Sequence, residues 1–137
     1  PVLVGGDPVE LGLYWDQEKG DRAFLEVEIR DALLFSDKSP LILKINGEEI
    51  KLRPTTSDRG NLETRYDRSR KYYNVTSKDY WIDKDIIKRI ANAQTTYYKI
   101  PLSRGGYLDG EIEYFHRSMQ SFVPYSFQNF YNRVWGQ

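Results

Sequence analysis

No cysteine occurs among the 137 residues. A disulfide framework, a thiolate metal site and a cysteine nucleophile are therefore excluded. Secretion is not, because a chain of this length buries roughly 68% of its unfolded surface and stands without staples. Histidine is nearly as scarce: His116 is the only one, too few imidazoles for a zinc site without thiolates. No apolar run approaches the ~20 residues of a membrane-spanning helix, and no signal-peptide pattern is read. Net charge is missing as well. Twenty Lys and Arg balance twenty Asp and Glu, so no global field draws the chain to nucleic acid or to an anionic membrane.

Aromatic side chains are abundant instead. Eleven Tyr, six Phe and three Trp make up 15% of the chain. Tyr and Trp combine an apolar body with a polar tip, which suits half-buried sheet faces and binding surfaces. The charges are also unevenly placed. Residues 1–52 hold 6 basic and 11 acidic side chains, residues 53–104 hold 12 and 6, and residues 105–137 hold 2 and 3. That asymmetry predicts either a basic face or complementary halves folded on each other. A first residue of Pro1 fits a processed secreted or lipid-anchored precursor, and equally a piece of a longer chain.

Period-two alternation dominates the first half. Val9, Leu11, Leu13 and Trp15 share one strand face, and Ala23, Leu25, Val27 and Ile29 share another. Leu33 to Phe35 reads as an extension of the second strand past a bulge. "LILKINGEEIKLR" is a hairpin whose Asn46-Gly47 turn pairs Leu43 with Ile50, Leu41 with Leu52 and Lys44 with Glu49. "NLETRY" and "RKYYNVTS" read as two more strands around a charged tip. Asp83 is placed to cap a short helix with Ile86, Ile87, Ile90 and Ala91 inward. The period then returns to two at Thr96, Tyr98, Ile100 and Leu102, and Pro101 suggests an edge strand. Gly105 and Gly106 turn the chain. Ile112, Phe115, Met119 and Phe122 follow at helical spacing up to Pro124, and Phe127, Phe130 or Tyr131, Val134 and Trp135 predict a last helical turn or two over the core. The expectation is one domain over residues 1–137, α+β, with a mostly antiparallel sheet or half-open barrel, a short internal helix and a C-terminal helix covering one face.

The helix ending "RIANAQ", the strand pair "TTYYKIPLSRGGYLDGEI" and the aromatic-rich C-terminus resemble a pattern found in bacterial cell-envelope and secreted domains without assigned chemistry. Ile90, Ala91, Asn92, Ala93, Gly105 and Gly106 carry the resemblance, over about a third of the chain. It implies an extracytoplasmic location and transfers no catalytic residue.

Residue patterns with chemical potential are few. His116 lies beside the expected apolar stripe without a nucleophile-elbow serine nearby in sequence. Glu26 with Glu28, and Asp109 with Glu111, share strand faces, a spacing that glycosidase carboxylates meet but that any solvated strand meets too. "DQEKGD" lacks the ligand spacing of an EF-hand. Residues 53–89 interleave arginine and lysine with Tyr66, Tyr72, Tyr73, Tyr80 and Trp81, a combination suited to single-stranded nucleic acid. Asp58, Glu63, Asp67, Asp79, Asp83 and Asp85 stand among them and oppose phosphate. The same mixture suits protein or glycan recognition. The reading is a non-catalytic interaction or structural domain without cofactor or metal. Its expected binding surface is Tyr66, Arg68, Arg70, Tyr72, Tyr73, Tyr80 and Trp81. The partner is a protein, a copy of itself or a glycan. A small hydrolase with a dispersed site and a nucleic-acid binder are the alternatives.

Overall fold

A computed structural model describes residues 2–4, 9–15, 17–66, 68–69, 71–112 and 123–136. Arg70, His116 and the Phe115, Met119 and Phe122 positions of the expected second helix lie outside these residues.

Two antiparallel sheets form. The first contains β1 (Val2–Val4), β2 (Val9–Tyr14), β3 (Arg22–Ile29), β6 (Asn61–Tyr66) and β7 (Tyr72–Asp83), in the order β1-β2-β3-β7-β6. The second contains β4 (Leu41–Ile45), β5 (Glu48–Leu52), β8 (Thr96–Pro101) and β9 (Tyr107–Ile112), in the order β5-β4-β8-β9. Helix α1 (Lys84–Asn92) follows β7 directly, and α2 (Val123–Val134) packs on α1. The architecture is mostly sheet, in the α+β class. The half-open barrel is not formed, since each sheet ends in two edge strands among the described residues.

The alternations act as the sequence implies. Ala23, Leu25, Val27 and Ile29 are buried, as are Val9 and Leu11 across from them. The Asn46-Gly47 turn has positive φ at both residues, the geometry a two-residue hairpin needs. Its register pairs Leu43 with Ile50, Leu41 with Leu52 and Lys44 with Glu49. Asn46 also accepts, through Oδ1, the backbone N–H groups of Gln94 and Thr95 at 2.9 and 3.1 Å, tying the turn to the α1–β8 connection. In α1, Ile87 and Ile90 are buried with Ile86 and Ala91 packed alongside. These side chains, both sheets, and Phe127 and Phe130 of α2 share one apolar core.

Three local expectations change. β8 is an interior strand between β4 and β9, and Pro101 is tolerated because it is the last residue, beyond the pairing with β4. Leu33 and Leu34 do not extend β3. They are exposed in a loop, and only Phe35 turns into the core, bridging to Leu102. Ile112, expected to begin the second helix, is the last residue of β9 and pairs with Thr96; the helix expected to end at Pro124 falls outside the described residues, and Pro124 itself lies in α2. That helix runs three turns. Its end is anchored by Trp135, whose Nε1 donates to the Gly20 carbonyl at 2.9 Å, the same oxygen that accepts Nε1 of Trp15. The two indoles meet edge to face with centroids 6.2 Å apart.

Lys78 points into the molecule with its side chain 1% exposed. Its ammonium donates to the carbonyls of Asp37, Thr56 and Asp58, one acceptor for each of its three N–H groups. Two loops are thereby fastened to β7. Gly60 completes that site at φ +98°, since a Cβ there would meet Phe35 at 2.8 Å and the Ser77 carbonyl at 2.9 Å.

Candidate functional site

β7 is longer than β3. β3 pairs with it only from Thr76 to Asp83, whereas β6 pairs with it from Tyr72 to Ser77. The stretch from Tyr72 to Val75 and the matching part of β6 therefore form a two-stranded arm past the end of β3. Alternation puts Leu62, Thr64 and Tyr66 on one side of this arm with Tyr72 and Asn74. Leu62, Tyr66 and Tyr72 are 50%, 53% and 74% exposed. The Tyr66 and Tyr72 rings face each other across the strands with centroids 5.0 Å apart, and Thr64 Oγ1 donates to Asn74 Oδ1 at 3.1 Å. A cross-strand aromatic pair stiffens the arm while leaving its apolar surface in water.

The opposite side of the arm is charged and tied down. Arg65 bridges to Glu28 at 2.8 Å and to Glu63, and the Glu63 hydrogen bond, with Glu28 nearby, holds its guanidinium pKa above the ordinary value. The Arg30 guanidinium lies 4.0 Å above the Tyr73 ring. Among the described residues β6 is the terminal strand of its sheet, and every residue of it except Arg65 is exposed.

Of the seven residues expected to form one surface, the six that the structure describes are thus separated. Tyr66, Arg68 and Tyr72 are exposed at the arm, and Tyr73 sits beneath Arg30. Tyr80 is fully buried, and its hydroxyl has no hydrogen-bond partner among the described residues. Burial raises its pKa far above the phenol value. Tyr80 belongs to the core, because it falls on the inward phase of β7 with Thr76, Lys78 and Ile82. Trp81 is half-buried against Phe24 at 4.7 Å, with the Arg22 guanidinium 4.3 Å from its ring. Eight residues of strand separate it from Tyr73, about 26 Å at the usual rise. Within the basic stretch, Arg89 pairs with Glu48 at 2.7 Å and Lys84 with Asp21 at 3.4 Å.

Two further features occupy the outer sheet faces. On the five-stranded sheet, Glu26 stands directly opposite Asp79, next to Glu28. Desolvation, and then neighbouring acids, push the pKa values of Glu26 and Asp79 upward, although Tyr14 donates to Glu26 at 3.2 Å. The sequence alone does not pair Asp79 with the glutamates, because the strand it marks there, "RKYYNVTS", stops at Ser77. On the four-stranded sheet a groove of about 600 Å³ is lined by Lys44, Glu49, Tyr97, Lys99, Asp109 and Glu111. Lys44 faces Glu49, and Lys99 faces Asp109, so opposite charges meet across strands. Of the Asp109 and Glu111 pair, Asp109 thus has a lysine directly across from it, while Glu111 stands opposite Tyr97. No cluster of metal-ligating side chains occurs among the described residues.

Comparison with known proteins finds no matching family model and no matching curated protein.

Proposed function

We propose that the chain is a non-catalytic interaction module whose contact element is the β6–β7 arm, and whose partner is a protein strand. The supporting observation is the combination of an open edge strand with three large exposed apolar side chains beside it, Leu62, Tyr66 and Tyr72. An open edge offers main-chain donors and acceptors to a partner strand, and adjacent side chains confer selectivity. Aromatic residues contribute strongly to such contacts because they lose little conformational entropy on binding. We place the module in a bacterial extracytoplasmic protein, on the strength of the sequence pattern around Ile90 to Ala93.

Site-specific photo-cross-linking tests the contact element. A benzophenone side chain at position 72 is expected to give discrete protein adducts in the producing cells. The same group at Tyr107, which is 53% exposed on the other sheet, is expected to give none. Equal labelling from both positions, or none from position 72, contradicts the proposal.

A further inference from the structure

The outer edge of β6 carries a sequence that is complementary to itself. Reading outward from Thr64, Glu63 is matched by Arg65, and Leu62 by Tyr66. In an antiparallel pair of identical strands centred on Thr64, each residue meets its match: Leu62 faces Tyr66 of the other copy, Glu63 faces Arg65, and Thr64 faces Thr64. Every directly opposed pair is then favourable, aromatic on aliphatic, acid on base, hydroxyl on hydroxyl. The charges that commonly keep edge strands apart repel when they are of one sign. Here they alternate in sign and match.

From this edge we infer that two copies of the chain associate through β6, about a two-fold axis at Thr64 perpendicular to the sheet. The inference rests on the arm being the contact element and names one partner for it. The two five-stranded sheets become one continuous sheet with β6 beside β6 at its centre. Such a symmetric contact closes on itself, so it yields a dimer and not a fibre. On one face the exposed Leu62 of each copy is covered by Tyr66 of the other, next to the Tyr72 rings. On the opposite face Glu63 and Arg65 of both copies form a four-membered ring of alternating charge, and Glu28 already holds each Arg65 in place. The contact is a few residues long, below the size of a standard stable interface, so the dimer is a reversible one that forms at high local concentration.

The absence of cysteine makes the arrangement directly testable. Directly opposed residues in an antiparallel pair have Cα atoms about 4.5–5.5 Å apart, inside the range a disulfide spans. Thr64→Cys introduces the only thiol in the chain. Incubated with oxidised glutathione, this variant is expected to form a disulfide dimer at least tenfold faster than Leu62→Cys, whose two copies lie about 13 Å apart along the strands in this register. Without oxidant, sedimentation equilibrium of the unmodified chain at several hundred micromolar is expected to show dimer. Thr64→Lys sets two ammonium groups against each other and is expected to weaken the dimer several-fold, while its circular dichroism matches the parent. Equal oxidation rates for the two cysteine variants, or a parent that stays monomeric at that concentration, overturn the dimer. If adducts from position 72 then form with a different protein, the interaction reading survives and the self-pairing alone fails.

Discussion

At the scale of single residues, much of the specificity lies in positions where one side chain is forced. Gly110 is the clearest. A Cβ there would meet the Tyr98 hydroxyl at 2.5 Å and its ring at 2.8 Å, and Tyr98 is buried by neighbours that do not yield. Gly110→Ala is expected to lower stability by about 1–3 kcal/mol, the usual cost of overpacking, read as a reduced midpoint in urea. Tyr80 has the opposite character. Its hydroxyl is buried without a partner among the described residues, so Tyr80→Phe removes a desolvation cost. We expect an unchanged or higher midpoint, and a loss above 1 kcal/mol would reveal an acceptor for that hydroxyl. The opposed acids Glu26 and Asp79 give a pH signature. Their folded pKa values are raised, so their contribution is fully present below the ordinary carboxylate range and is lost as pH rises through the folded values. Glu26→Gln is expected to gain roughly 0.5–1 kcal/mol at pH 7, the scale of cross-strand charge pairs, and little at pH 3.5. Asp58 runs the other way. The Gly60 N–H, then Thr56 and Lys78, lower its pKa, so its contribution is present at neutral pH and lost on acidification.

At the scale of elements, legibility followed the inward face. β2, β3 and the β4–β5 hairpin place aliphatic side chains inward and charged ones outward, so period and register could be read from residue type alone. β7 could not be read past Ser77. Its inward positions are Thr76, Lys78, Tyr80 and Ile82, and a buried lysine and tyrosine disguise the alternation. Only the carbonyl acceptors supplied by two distant loops make Lys78 an inward residue, and no local pattern announces them. The same disguise set Tyr80 and Trp81 in one expected surface with Tyr72, although they lie on opposite faces of β7. Lys78→Met is expected to cost about 2–4 kcal/mol by removing the shared donor of three part-buried loop carbonyls. Proteolysis within residues 54–60 should accelerate before any change in β2 or β3. The α2 helix was foreseen in its apolar positions and not in its anchor. A shared carbonyl at Gly20 between Trp15 and Trp135 joins residues 115 positions apart, beyond what periodicity encodes. Trp135→Ala is expected to lower the urea midpoint and to expose α2 to hydrogen exchange.

At the scale of the whole molecule, two open sheets share one core and leave four edges among the described residues. Three of them carry signs of closure or isolation. β9 and β1 lie near each other, and β5 is bound to α1 through Glu48 and Arg89. β6 alone joins an unpaired edge to a row of exposed apolar side chains. Four cations of the basic middle stretch meet acids in space, Arg65 on Glu28 and Glu63, Lys78 on Asp58, Lys84 on Asp21 and Arg89 on Glu48. Of the expected surface, Tyr66, Arg68 and Tyr72 are exposed at the arm.

The account stands on the outer edge of β6 being open in the isolated chain and being the place where another chain joins. Amide hydrogen exchange at low and high protein concentration addresses that edge directly. At low micromolar concentration, the amides of residues 61–66 that point away from β7 are expected to exchange within the fastest class, while those of β3 persist. At several hundred micromolar the same β6 amides are expected to slow and the rest of the pattern to stay fixed. Protection of all β6 amides at a level equal to β3 in dilute solution, unaffected by concentration, would contradict it.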